Sequence, residues 1–267
     1  MKNFNQQIVM KDLPQFSTIY LVPLADFHLG CRDVGVDVIR GYIDWIKETK
    51  NAFTILNGDL MNCAGKDTAP ELYDDLTTPD DAYNSLRAML MPIKDKILMI
   101  TRGNHEDMIW RRVGADYSAR LAYDLGDIPY KPDGGMLGIR LSKNNHYAVF
   151  FTYATHGWGG ARTIGAKVKK PDELAVAVGA DCYVVSHDHT MAMHRNNRLE
   201  PPKSRLGSDK VYLQVHRQLL INTGGFIRYS GYVQKKGLLP QDLGTPRIRM
   251  ELKHRDDAYI KDLHGSI

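Results

Sequence analysis

Five short stretches of this chain carry side chains of the types that bind divalent metals, and each follows a hydrophobic run. They are LADFHLG with Asp26 and His28, LNGDLMN with Asp59, TRGNHED with Asn104 and His105, YATHGWGG with His156, and VVSHDHT with His187 and His189. Five of the ten histidines lie in these stretches; His146, His194, His216, His254 and His264 do not. A mixed nitrogen and oxygen ligand set suits divalent transition metals better than Mg²⁺ or Ca²⁺ alone. In Asp-x-His and His-x-His, an extended backbone is expected to turn residues i and i+2 to the same side, toward one metal centre.

Such residues, far apart in sequence, need a scaffold that gathers them. STIYLVPLAD (17 to 26) reads as a strand, and a helical pattern follows from Asp33 to Lys50, with Val34, Val38, Tyr42, Trp45 and Ile46 on one face. AFTILNGD is a second buried strand, so the order is that of a parallel α/β unit. Residues 62 to 80 read as a long loop, 80 to 92 as a helix, KILMIT as a third strand, and 105 to 125 as two short helices split near Gly114. After PYKPDGGMLG the chain becomes β-rich, with strands at GIRLS and HYAVFFTYATHG. A helix over 171 to 178 has Pro171 in its first turn, and strands follow at CYVVSHDH, VYLQVHRQLLINTGG and RIRMELKH. Loops after successive parallel strands emerge along one sheet edge, where these side chains would converge.

The bulk composition allows this without specifying it. At 267 residues, a single domain spanning 1–267 is expected. With 43% hydrophobic and 25% charged residues the chain is of ordinary globular type, and a formal charge of +4 permits an anionic substrate without demanding one. Cys31, Cys63 and Cys182 are odd in number and widely spaced, which supports neither a disulfide framework nor a CxxC zinc site. MKNFNQQIVMKDLPQF lacks the apolar stretch of a signal peptide and no run is long enough for a membrane span, so a cytoplasmic protein without membrane partners is expected.

The order of these motifs resembles the calcineurin-like metallophosphoesterases, whose pattern is DxH, GD, GNH(D/E), a later His, and GHxH. All five blocks occur here in that order, between residues 26 and 189. The likeness is to compact, stand-alone bacterial or phage-type members. It implies a four-layer α/β/β/α sandwich of two mixed sheets and two divalent metal ions, Mn²⁺ first, with Fe, Zn, Ni or Co as alternatives. Asp26, His28, Asp59 and His189 would bind the first ion, and Asp59, Asn104, His156 and His187 the second. Asp59 would bridge them, one carboxylate oxygen to each ion. A metal-bridging hydroxide would attack phosphorus, with His105 as the catalytic residue that protonates the leaving oxygen or stabilises its charge. The substrate would be a phosphate ester, with a diester (DNA, RNA or a cyclic nucleotide) favoured over a monoester (a phosphoprotein or small metabolite). A non-catalytic metal-binding scaffold is the remaining alternative.

Ordinary explanations compete with each assignment. A lone Asn-Gly-Asp after a strand is usually a turn; five ordered blocks reverse that reading for Asp59. His156 competes with a buried, hydrogen-bonded histidine, and His105 with a role at the start of a helix. Arg102 is a candidate phosphate contact, against a surface salt bridge. Asn62 and Cys63 are expected to pack behind the ligands. Ser186 stands where the family has Gly, which puts the shape of that turn in question. In WRRVGADYSAR, Arg111, Arg112 and Arg120 with Trp110 and Tyr117 read as a solvated helix face in preference to a nucleotide site. GGFIRYSGYVQKK, with Phe226, Arg228, Tyr229 and Tyr232, would wall a pocket or form a subunit contact in a homo-oligomer.

Overall fold

Strand β2 (Thr18–Leu24) shows why the chain must form layers. Ile19 and Leu21 enter one apolar cluster, while Val22 and Leu24 enter another on the opposite face. A strand buried on both faces needs cover on both sides. The computed structural model describes residues 6–63, 75–159, 163–202, 211–230, 234, 237, 239–255 and 258–267. The other strands are β1 (Val9–Leu13), β3 (Ala52–Asn57), β4 (Ile97–Thr101), β5 (Gly135–Lys143), β6 (His146–Thr155), β7 (Cys182–Val185), β8 (Ala192–Glu200), β9 (Gln214–Asn222), β10 (Arg247–Arg255) and β11 (Ala258–Ser266). The helices are α1 (Val36–Glu48), α2 (Pro79–Leu90), α3 (Asn104–Val113), α4 (Tyr117–Asp124), α5 (Ile164–Val168) and α6 (Lys170–Ala177), with a 3₁₀ segment at Met91–Lys96.

Two mixed sheets result. One has the order β1-β5-β6-β7-β9-β8 and the other β11-β10-β2-β3-β4. Strands β2, β3 and β4 run parallel to one another, as do β6, β7 and β9. Antiparallel pairings join β5 to β6, β8 to β9, and β10 to both β2 and β11. One core lies between the sheets and includes Ile19, Leu21, Ile55, Ile139, Val184, Ile221 and Met250. A second cluster covers the outer face of the β2-β3-β4 sheet with α1 and α2, and a smaller one covers Tyr183 and Leu220 with α6. The architecture is therefore a four-layer α/β/β/α sandwich.

The apolar stripe of α1 is offset from the expected one. Ile39, Ile43 and Ile46 are its buried residues, with Val38, Tyr42 and Trp45 flanking them. Val34 precedes the helix, joins the same cluster and forms a bridge with Ile227. Gly114 ends α3 in the left-handed conformation, φ 72°, so the expected break falls there. The long loop is shorter than expected at its far end, because α2 begins at Pro79 with Thr78 as its N-cap; residues 64–74 of it lie outside the described residues. Among the described residues, no helix is long and apolar enough to cross a membrane.

Candidate metal centre

The five stretches come from both sheets. Asp26 and His28 follow β2, Asp59 follows β3 and Asn104 opens α3 after β4; His156 follows β6, and His187 and His189 follow β7. These loops thus meet at the carboxyl ends of parallel strands in two packed sheets, not along a single sheet edge. Backbone bonds zip the first two loops together: Asp26 N–H donates to Gly58 O, His28 N–H to Asp59 O and Leu29 N–H to Leu60 O. Phe226, fully buried and edge-on to Phe27, donates its N–H to Asp26 O, so the FIRY segment supports this loop from behind.

The expectation of extended Asp-x-His and His-x-His segments is corrected by the structure. Asp26 (φ 53°), His28 (φ 49°), Asp59 (φ 50°), His187 (φ 76°) and His189 (φ 50°) all adopt the left-handed conformation. Side chains i and i+2 are gathered by consecutive tight turns. Non-glycine residues rarely take such φ values, and strain of this kind concentrates where a site over-determines its backbone. Ser186 is not among the positive-φ residues, so its turn needs no glycine. Its Oγ instead accepts from Asn57 Nδ2 at 2.7 Å, tying the His-x-His loop to β3.

The candidate side chains fall into two clusters. In the first, His189 Nε2 lies 3.4 Å from Asp26 Oδ1 and 3.0 Å from His28 Nε2, which is itself 3.8 Å from Asp59 Oδ2. In the second, His156 Nε2 lies 3.2 Å from the same Asp59 Oδ2 and 3.1 Å from Asn104 Oδ1, which is 2.6 Å from His187 Nδ1. One oxygen of Asp59 faces both clusters. Its other oxygen, Oδ1, accepts the His105 N–H at 2.9 Å, so a single atom, Oδ2, lies toward both groups of candidate side chains.

These atoms fit divalent cations. Asp26 Oδ1 is fully buried and accepts no hydrogen bond, an orphaned acceptor that a cation would satisfy. Burial pushes His189 down to about 3 and His187 down to about 4, and holds His28 well below the usual range, which leaves ring nitrogens with lone pairs to offer. Burial also raises the Asp26 carboxyl. For Asp59 burial acts upward, but the surrounding His156, His105 and His28 outweigh it and hold the carboxyl well below its ordinary value. Burial acts downward on His156, but the Asp59 and Asp26 carboxylates outweigh it and push the ring up to about 10. The field that would put a proton on His156 is one that attracts a cation.

The candidate ligand rings are held from behind. His28 Nδ1–H donates to Asn62 Oδ1 at 3.3 Å, and Asn62 Nδ2 donates to Asp75 at 2.6 Å. His156 Nδ1–H donates to Asn57 O at 2.8 Å. Such partners fix tautomer and ring orientation in metal sites. His105 Nδ1–H donates to Asn62 O at 2.6 Å, and its ring stands edge-on to His28. Cys63 is buried but belongs to none of the candidate ligand groups, and burial pushes its thiol up.

Sequence reasoning misses Glu106 and Asn57. Glu106 is buried and its carboxylate accepts the N–H groups of Asp59 and Met61, each at 3.0 Å, and of Gly103 at 3.1 Å. Its position three residues after the Gly103 N-cap is the available signal, since an acidic residue there commonly reaches back to the cap N–H. Gly103 is required by contact, because a Cβ there would collide with the N and Oδ1 atoms of Asp59. Glu106→Ala is expected to lower stability by about 3 kcal/mol or more, as three buried N–H groups lose their acceptor. Thermal unfolding checks this, with a fall in Tm of roughly 6–12 °C expected.

Arg102 forms two ion pairs. Its guanidinium is mostly buried and pairs with Asp107 at 2.9 Å and Asp116 at 3.0 Å, joining α3 to α4, so two carboxylates already compensate its charge. Arg111 pairs with Asp107 and Arg120 lies over the Tyr83 ring at 4.4 Å, which fits an exposed helix face. Arg228 pairs with Asp37 at 2.7 Å, while Tyr229 lines a cavity together with His189; Tyr232 lies outside the described residues.

No family model matches the sequence, and no curated protein matches it. Solved structures do. A conserved uncharacterized protein from Streptococcus pneumoniae, described as a predicted phosphoesterase, shares 14% identity over 93% of this chain and 90% of that one, with a TM-score of 0.36. Vacuolar Protein Sorting 29 from Cryptosporidium parvum shares 13% identity over 94% and 99%, with a TM-score of 0.40. A metallophosphoesterase from Sphaerobacter thermophilus shares 12% identity over 93% and 89%, with a TM-score of 0.39. The likeness is one of fold alone. What the chain does must come from its own side chains.

Proposed function

We propose that this chain is a binuclear, divalent-metal-dependent phosphoesterase. The observation that carries the reading is the position of Asp59 Oδ2, 3.8 Å from His28 Nε2 and 3.2 Å from His156 Nε2, where one carboxylate oxygen serves two clusters of ligand atoms. Asp26, His28, Asp59 and His189 would hold one ion, and Asp59, Asn104, His156 and His187 the other, with Mn²⁺ the first candidate. Bound there, the ions supply Lewis acidity toward phosphoryl oxygens and a water activated at neutral pH. The chain's own contribution is placement: ligand side chains held largely in strained turns need little rearrangement when substrate arrives. His105, with Nδ1–H held by Asn62 O, would act through Nε2 to pass a proton to the leaving oxygen. A non-catalytic scaffold would not need His105 in that setting.

A diester is favoured over a monoester. Trp158, two residues after His156, is 44% exposed, and Tyr229, which lines the same cavity as His189, is 46% exposed. An accessible ring near each cluster suits an ester that carries organic groups on both sides of phosphorus, and nucleotides would stack on such rings. The test is turnover of bis(p-nitrophenyl) phosphate and p-nitrophenyl phosphate with Mn²⁺. Cleavage is expected to vanish with chelator and return with Mn²⁺, faster on the diester. Absence of cleavage of either ester with any divalent metal would overturn the enzyme reading.

A further inference from the structure

Two lysines away from the ligand set are almost completely buried, and both grip the loop that carries His187 and His189. Lys167, 2% exposed, donates through Nζ to Asp188 O and Thr190 Oγ1, each at 3.1 Å. Lys170, 3% exposed, lies through Nζ at 2.6 Å from Asp188 Oδ2 and also donates to the carbonyl of Trp158. Its contact with Asp188 is an ion pair without the alignment of a directed hydrogen bond. Asn222 Nδ2 donates to Lys167 O at 3.2 Å, which ties α5 to the end of β9.

Lysine is almost never fully buried, and a buried ion pair seldom stabilises a fold more than apolar packing would. Two such groups on consecutive short helices therefore call for a local reason. Asp188 supplies one, because it lies between two residues in the left-handed conformation, His187 at φ 76° and His189 at φ 50°. Backbone of that kind persists only when its surroundings over-determine it. Lys170 also joins two loops, since Asp188 neighbours His187 while Trp158 lies two residues beyond His156. Both histidines belong to the second cluster.

We propose that Lys170 is a positioning residue for the metal centre: through Asp188 and the Trp158 carbonyl it locks His187 and His156 into a shared geometry, with Lys167 holding the same loop through Asp188 O and Thr190. This inference rests on the two-metal reading above. Outer partners of metal ligands commonly change metal affinity about 10–100-fold when removed, and an effect of that size is expected at one of the two ions.

The test is Mn²⁺ titration by calorimetry of wild type, Lys170→Met, Asp188→Ala and the double variant, with circular dichroism of each metal-free protein. Wild type is expected to take two ions. Each single variant should bind one of them about 10–100-fold more weakly, and the double variant should be no worse than the poorer single, because both changes remove the same lock. A folded single variant that binds both ions as wild type does overturns the proposal, and so do losses that add in the double variant. If Lys170→Met does not fold, Asp188→Ala alone decides; if both unfold with and without Mn²⁺, Lys170 serves the fold and the proposal fails. A wild type that takes no pair of ions instead refutes the two-metal reading itself, and the proposal with it.

Discussion

Asp59→Asn is expected to abolish the binding of two ions per chain and to lower kcat/KM by on the order of 10³-fold or more. The reason is specific to how this carboxylate is held. Oδ1 accepts the His105 N–H at 2.9 Å, so an asparagine keeps its carbonyl oxygen there and turns its amide N–H₂ into the position of Oδ2. A donor then faces both clusters where an anionic acceptor stood, and the charge that offsets two neighbouring cations is lost. Both metals should weaken together. Metal analysis after dialysis, with circular dichroism to confirm the fold, checks this; loss of one ion with full retention of the other would mean that Asp59 is not shared.

His105→Ala is expected to separate chemistry from metal binding. The ring sits at the start of α3 with Nδ1–H on Asn62 O, and a carboxylate and a histidine of the first cluster lie close by. If it serves as proton donor, its removal should leave two ions bound and lower kcat by roughly 10²–10⁴-fold. The loss should be smaller for p-nitrophenyl esters, whose leaving group needs no proton, than for an alkyl ester of the same acid. Equal loss of metal in this variant and in Asp59→Asn would make His105 a ligand, since its ring stands within reach of His28 and Asp59.

Much of this candidate site is legible in the sequence because metal chemistry would restrict residue type as well as spacing. Asp26, His28, Asp59, Asn104, His156, His187 and His189 stand in five strand-end stretches, and the structure brings all seven together. The central strands are legible for a related reason: burial on both faces makes runs such as AFTILN continuously apolar. β8 is not, since most of AMHRNNRLE is exposed at the edge of its sheet, so no apolar alternation marks it. β1 escapes notice for a similar reason, as a five-residue edge strand paired with β5.

Tertiary partners are the harder part. Glu106 looks like one acid in a charged helix, and only the approach of the Asp59 loop shows that it accepts three N–H groups. The partners of Arg102 are equally hidden, because proximity in sequence to Asn104 and His105 says nothing about Asp116, which pairs with its guanidinium from the start of the next helix. Lys167 and Lys170 carry no local mark of burial at all. Their partners lie on other loops: Asp188 and Thr190 beyond β7, where Asp188 separates two candidate ligand histidines, and Trp158 after β6.

The proposed two-metal site depends most on Asp59, whose Oδ2 would contact both ions. A crystal grown with Mn²⁺ and measured for anomalous scattering at the manganese edge tests it most directly. Two peaks are predicted, one among Asp26, His28 and His189 and the other among Asn104, His156 and His187, both in contact with Asp59 Oδ2. A single peak, or two peaks of which only one touches Asp59, would overturn the two-metal reading.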